Sequence, residues 1–311
     1  MTIKQRAFAQ VDVFSSRLGD GNPVAVVLDA DGMSEADMAR LAVWTNLSET
    51  TFVLPPTQPG ADYRLRIFTP AGELPFAGHP TLGSCFAWLA AGGRPQQATH
   101  IVQECAKGLI ALRPEGDGLA FATPALDRRD LSAAELAELL AALQLPPEAV
   151  LASQRLDNGP VWWTLLLDSA ERLLSLPIDA NAVLRLGRHI GLAARTDEDA
   201  TQDLSSPGLI RRASREARAF ASSQPATAEA VDLEVRALFC APHQLFEDPV
   251  TGSLNGSLAQ WLIAEGRMPA RYTAAQGTAI GRAGRVQLSH TDDQVWVGGR
   301  CVAAVTGQIL A

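Results

Sequence analysis

The sequence predicts a strand-rich α+β protein of two homologous lobes, each with one buried helix. Three observations carry this. Residues 76–93 read as a turn feeding an apolar helix, the same pattern returns later in the chain, and the remainder is dominated by short alternating strands. At 311 residues the chain is long for one core, which agrees with two lobes.

In the first helix Pro80 suits the first turn, where a missing N–H costs nothing. Gly92-Gly93 stops it, since glycine takes the left-handed C-terminal conformation cheaply. Between them Leu82, Cys85, Phe86, Trp88 and Leu89 leave almost no polar face, and a helix apolar all round is a buried one. Its amino end then presents N–H groups that suit a small anion or carboxylate. Shifted by 173 positions, Gly83 falls on Gly256, Ser84 on Ser257, Trp88 on Trp261 and Gly93 on Gly266. Upstream, 62–68 resembles 232–239 and 22–28 echoes 159–165. A period of half the chain means two lobes rather than a solenoid.

In chain order, residues 7–14 and 24–28 alternate as strands around the Gly19–Pro23 turn. Residues 34–46 form an amphipathic helix capped by Ser34, with Asp37 reaching back. Strands follow at 49–54 and 63–68, with a hairpin over 99–103 and 108–113. The second lobe begins near 114–127. It holds helices at 132–143 and 181–190, strands at 161–167, 217–222 and 231–239, a polar loop at 196–208 and a solvated charged run at 211–218. The tail, 272–309, carries short strands broken by glycines.

Composition excludes several functions. Hydrophobic residues at 47% and charged residues at 19% describe a soluble globular chain. The net charge of −8 argues against nucleic acid. No apolar run approaches the roughly 18 residues of a membrane span, and no signal-peptide core follows Met1. Cys85, Cys105, Cys240 and Cys301 are too scattered for a disulfide framework or metal site, and read as reduced core residues of a cytoplasmic protein. The histidines at 79, 100, 189, 243 and 290 share no metal spacing, and His243 four residues before Glu247 is a weak pair. Without a dinucleotide or phosphate loop or a nucleophile elbow, no cofactor is indicated.

Three places offer chemistry. Glu49, at the start of an apolar strand near two helix amino ends, suits a general acid or base, or stands as an exposed strand-edge carboxylate. His79, expected at the N-cap of the first buried helix, suits a proton shuttle or a capping histidine. Glu247-Asp248-Pro249-Val250-Thr251-Gly252-Ser253 places an acid before the second buried helix, opposite Gly78-His79-Pro80.

Taken in order, Gly21–Val26, Asn46–Val53, Arg66–Pro70, Pro75–Gly83, Glu247–Ser253, Gln276-Gly277 and Gly281-Arg282 resemble the PhzF-like phenazine-biosynthesis isomerase family across essentially the whole chain. The resemblance implies a diaminopimelate-epimerase-like fold: two pseudo-symmetric lobes, each a curved, mostly antiparallel sheet or barrel around a central helix. It places an N-terminal lobe at 1–118, joined by the last C-terminal strand, a second lobe at 119–311, and the active site in the cleft between them. It implies a homodimer and cofactor-free proton transfer on a small, dihydro-hydroxyanthranilate-like carboxylate. Glu49 matches the family's acid/base; His79 and Asp248 match the residues that position substrate and share its protons. Gly78, Gly252 and Ser253 would hold the carboxylate, with Ser48, Pro80, Thr81 and Thr251 completing the binding set. Leu254-Asn255 departs from the Ala-His of many members. The expected helix entrances carry no cysteine, which disfavours two-thiol racemisation. A non-catalytic carboxylate-binding module and a one-base epimerase remain as alternatives.

Overall fold

The structure, a computed structural model, describes residues 4–196, 230–241 and 244–311. The first set of elements is β1 (Gln5–Val13), β2 (Asn22–Val27), α1 (Glu35–Thr45), β3 (Glu49–Leu54), β4 (Tyr63–Thr69), β5 (Gly72–Leu74), α2 (Gly78–Ala90), β6 (Ile101–Cys105), β7 (Gly108–Glu115) and β8 (Gly118–Ala122). After β9 (Asp127–Arg129) and α3 (Ala133–Leu143) come β10 (Val150–Asp157), β11 (Val161–Leu167), α4 (Ala170–Ser175), α5 (Ala180–Leu186), β12 (His189–Arg195), β13 (Leu233–Ala241) and β14 (Gln244–Glu247). The chain closes with α6 (Gly252–Ala264), β15 (Arg271–Gln276), β16 (Gly284–Thr291), β17 (Gln294–Gly299) and β18 (Cys301–Leu310).

The strand pairing repeats. β1 pairs with β2 antiparallel, β2 with β3 parallel, β3 with β4 antiparallel, β4 with β6 parallel, and β6–β7–β8 continue antiparallel. From β10 to β17 the same order of senses recurs. β8 joins β17 antiparallel. The strands that follow each set are exchanged: β9 closes on β10, while β18 returns to β1 along nearly its whole length.

Each set folds over one apolar helix. Leu82 and Cys85 of α2 and Leu258, Trp261 and Leu262 of α6 are fully buried in one core with strands of both sets. A second cluster packs α3, α4 and α5 on the outer face of β11 and β12, and a third seats α1 on β3 and β4. Within this core the hydroxyls of Ser84 (α2) and Thr51 (β3) pair at 2.7 Å.

Local sequence explains the ends. Ser34 caps α1 by accepting the Asp37 N–H, as expected, and Ser132 and Glu135 form a reciprocal capping box on α3. The helix expected over 181–190 stops at Leu186, because Gly187 takes φ 61° and turns the chain, and His189 opens strand β12. Expectations for the loop, charged run and strand within 197–229, and for His243, lie outside the described residues. Cys85 and Cys105 are buried, but Cys240 and Cys301 are only partly so.

Truncating Leu82 to alanine removes a fully buried side chain at the centre of α2. The expected loss is about 2–5 kcal/mol in urea unfolding. Trp44→Ala, at 78% exposure on α1, is expected to stay within about 0.5 kcal/mol of wild type.

Candidate active site

Two helix amino ends meet head to head. A Cβ added at Gly78 would sit 3.2 Å from the Gly252 Cα and 2.7 Å from the Phe121 ring, so only glycine allows this approach. Neither N-cap, Ala77 or Thr251, supplies a side-chain cap bond. The first ladder bonds run from the Thr81 N–H to the Ala77 carbonyl and from the Asn255 N–H to the Thr251 carbonyl. The N–H groups of Gly78, His79, Gly252, Ser253 and Leu254 lie ahead of those ladders, and the two positive helix ends converge. His79 is therefore not the N-cap: Ala77 holds the extended cap conformation (φ −151°), and His79 lies inside the first turn.

At this junction Glu49, the first residue of β3, places Oε2 3.3 Å from His79 Nε2, with side-chain exposures of 14% and 6%. The pair is not aligned for a hydrogen bond, and neither atom has another partner among the described residues. Buried polar atoms without partners are rare and call for a functional account. The His79 ring bonds the backbone of Pro23. Proline has no N–H, so the ring donates and the carbonyl accepts. With Nε2 unpartnered, the donor is Nδ1, which leaves Nε2 as an acceptor facing Glu49.

Burial dominates the proton affinities. It pushes Glu49 up to about 8, with the Asp248 charge adding to the rise. Burial lowers His79 to about 3 against the opposing Pro23 bond, so the imidazole is neutral. Asp248 is raised to about 6, because burial outweighs its bonds to Thr251 and Asn22. The convergent helix ends favour an ionised Glu49, yet desolvation wins.

Asp248 is held on both oxygens. Asn22 Nδ2 donates to Oδ1 at 3.0 Å and Thr251 Oγ1 to Oδ2 at 2.6 Å. Gln276 braces the turn: its Nε2 donates to the Asp248 carbonyl and to Thr251 Oγ1, each at 2.9 Å. Its Oε1 accepts from the Thr251 N–H at 3.0 Å and from Asn255 Nδ2 at 2.7 Å. Asn255, at the departure from the usual Ala-His, is 1% exposed and works as part of this brace.

The structure thus brings together Glu49, His79, Asp248, Gly78 and Gly252, with Ser253 partly exposed beside them. Thr251 spends its hydroxyl and N–H on the brace. Thr81 is fully buried, its Oγ1 accepting from Gln103 Nε2 at 3.0 Å and its N–H spent in the helix. Pro80 is buried and has no N–H, and Ser48 is exposed. Asn22, Gln276 and Asn255 stood in the sequence motifs without a role; their part depends on contacts across more than 200 residues or across a turn, which spacing does not reveal. The repeat is chemically broken here. Val24↔Glu49 opens the parallel ladder of β2 and β3, and Trp162↔His189 opens that of β11 and β12. Among the described residues no cluster of three His, Cys, Asp or Glu is arranged for a metal, and no helix is long and apolar enough to cross a membrane.

The fold class recurs in solved structures. The crystal structure of the Bacillus anthracis phenazine biosynthesis protein of the PhzF family superposes with a TM-score of 0.77 at 21% identity, over 99% of this chain and 100% of that one. The family model described as phenazine biosynthesis-like protein (PhzC-PhzF) matches residues 11–307. The chain belongs to this family, a family of isomerases. Antisense-enhancing sequence 1 of Schizosaccharomyces pombe is 33% identical, over 98% of each chain. The trans-2,3-dihydro-3-hydroxyanthranilate isomerase of Pseudomonas fluorescens is 38% identical over 56% of this chain and 61% of that one.

The raised Glu49 affinity has a signed consequence. A carboxyl raised in the folded state favours folding while both states are protonated, and that advantage is lost as pH climbs from 4.5 to about 8. Denaturant unfolding is expected to show Glu49→Gln gaining stability relative to wild type between pH 6 and 9. An equal difference at both values contradicts the assignment.

Proposed function

We propose that this protein is a cofactor-independent isomerase that moves a proton within a small unsaturated amino or hydroxy carboxylate, with Glu49 as the sole acid/base. The observation that carries it is the largely buried Glu49–His79 pair, unpartnered at 3.3 Å, with the Glu49 affinity raised to about 8. A group titrating near the operating pH is present in both forms and can take and return a proton in one cycle.

As carboxylate, Glu49 takes a proton from one carbon of the substrate. The electron pair spreads into the conjugated carboxyl system, where the N–H groups of Gly78 and Gly252-Ser253 meet the charge. Protonated Glu49 then returns the proton to a second carbon on the same face. One C–H bond breaks, one forms and the double bond shifts; the change is redox-neutral and calls for no cofactor. His79 Nε2, held neutral, accepts a hydrogen bond from protonated Glu49 or from a substrate hydroxyl or amine. Asp248, pinned by Asn22 and Thr251, supplies a negative charge that favours a cationic or N–H donor group on the substrate.

Trans-2,3-dihydro-3-hydroxyanthranilate, the substrate in the Pseudomonas relative's name, has these parts: a carboxylate, an amino and a hydroxyl group on an unsaturated ring. It is the first substrate to try. The helix entrances carry Ala77 and Thr251 rather than cysteines, which supports one-base chemistry over two thiols. On this reading the lobes divide at 118/119, at the start of β8, with β18 returned to the first. The four free thiols suit the reducing cytoplasm, and the family resemblance supports a homodimer.

Proton NMR in D2O, with trans-2,3-dihydro-3-hydroxyanthranilate and related carboxylates, tests the reading. Wild type is expected to isomerise or deuterate a member of the panel, and Glu49→Gln to lose about 10²–10⁴-fold in rate while still binding it. Undiminished exchange in Glu49→Gln would falsify the role of Glu49, and binding without exchange in wild type would favour a carboxylate-binding module.

A further inference from the structure

The second set of strands has a wall of its own beside the α6 entrance. Its ladder pairs align Trp162, His189, Phe239 and Phe246 in one row across β11, β12, β13 and β14. Their rings meet in that order, with centroids 5.5, 4.0 and 5.3 Å apart. Trp162 is fully buried in the core that holds α6, so the row lies on the inner face. Side chains alternate along a strand, and the next pair on this face is Thr164↔Gly191. A Cβ added at Gly191 would sit 2.5 Å from Leu254 Cδ1, in the first turn of α6. The row is thus one step nearer the opening of the strands than α6 itself. Glu49 holds the matching place in the first set.

His189 is fixed in this row. The Cys240 N–H donates to its Nδ1 at 3.1 Å, so the proton of the neutral ring is on Nε2. Burial lowers the ring's proton affinity, which keeps it neutral. The ring is only half-buried, and Nε2 has no hydrogen-bond partner among the described residues.

Asn158, at the turn between β10 and β11, reaches the same entrance. Its Nδ2 donates to the Ser253 carbonyl at 3.0 Å, which fixes the orientation of the amide. Ser253 is one of the residues whose N–H lies ahead of the α6 ladder. Asn158 is only 7% exposed, yet its Oδ1 has no partner. A buried acceptor left unpaired is costly and is satisfied by a donor brought from outside the chain.

We propose that Asn158 and His189 form a hydroxyl-binding subsite, the share of the substrate site that the second set of strands supplies. A hydroxyl on the bound carboxylate donates to Asn158 Oδ1 and accepts from the His189 Nε2–H. A hydroxyl gives and takes a hydrogen bond at once. A second carboxylate would leave Asn158 Oδ1 unmatched, and an ammonium would leave the His189 N–H unmatched. The subsite rests on the reading above for the place of the carboxylate, at the Gly78 and Gly252-Ser253 N–H groups. It narrows the substrate to a small carboxylate that carries a neutral hydroxyl.

Isothermal titration of benzoate and 3-hydroxybenzoate into wild type, Asn158→Leu, His189→Phe and Glu49→Gln tests this without turnover. Wild type is expected to bind 3-hydroxybenzoate about tenfold more tightly than benzoate. Asn158→Leu and His189→Phe are each expected to lose most of that preference while binding benzoate as wild type does. His189 is partly exposed, so its variant carries the test if Asn158→Leu does not fold. Glu49→Gln is expected to keep the preference. A protein that shows the preference but exchanges no substrate proton therefore retains the subsite and loses only the isomerase reading. Equal weakening of both probes in His189→Phe marks a structural role and overturns the proposal. So does a wild type that binds the two probes alike or binds neither, or a His189→Phe variant that keeps the preference.

Discussion

The arrangement depends on one steric constraint, the head-to-head approach of α2 and α6 at Gly78 and Gly252. A methyl group on Gly78 would collide with Gly252 and with Phe121. The approach brings two uncapped helix ends to one point beside Glu49 and His79. Burial at this point, with the Asp248 charge, is what raises Glu49: the convergent N–H groups alone would favour its ionised form, and desolvation outweighs that preference. Burial likewise keeps His79 neutral, and its bond to the Pro23 carbonyl leaves Nε2 as an acceptor. Helix packing thus sets the proton chemistry.

The repeated strand order supplies two equivalent frames, but the chemistry is placed on one side. At the opening of the matched parallel ladders the first frame has Glu49 and the second has His189, whose ring is stacked on Phe239 and tied to the Cys240 N–H. The second frame contributes a pinned carboxylate instead. Asp248 reaches the junction because Asn22, from the first frame, and Gln276, from the second, hold its turn from opposite sides. On the proposed reading, Glu49 as single acid/base facing the Asp248 charge suits a proton that leaves and returns on one face of a substrate.

Much of this was legible in the sequence for physical reasons. The apolar run through Leu82, Cys85 and Leu89 and its copy through Leu258, Trp261 and Leu262 read as buried helices, and that is how they pack. Glu49, His79 and Asp248 were legible as residue types beside those helix ends. The helix over 181–190 was misread because its apolar spacing runs past Gly187, whose left-handed turn cuts it short. The histidine cap was misread because α2 begins at Gly78, two residues earlier than the His-Pro step suggests. The Asn22, Asn255 and Gln276 brace was illegible as a function, since bonds spanning 226 positions (Asn22 to Asp248) and 21 positions (Asn255 to Gln276) leave no local pattern. The return of the last strand was expected from the family resemblance, whereas the closure of β9 on β10 leaves no local pattern.

The most direct test of the central claim is the titration of Glu49 itself, followed by carbon NMR of its labelled side-chain carboxyl in the folded protein. A midpoint near 8 is expected, with Asp248→Asn lowering it as the neighbouring charge is removed. A midpoint at the ordinary glutamate value of about 4.5 would contradict the account, because the junction would then hold an ionised carboxylate at neutral pH rather than an acid poised to exchange its proton.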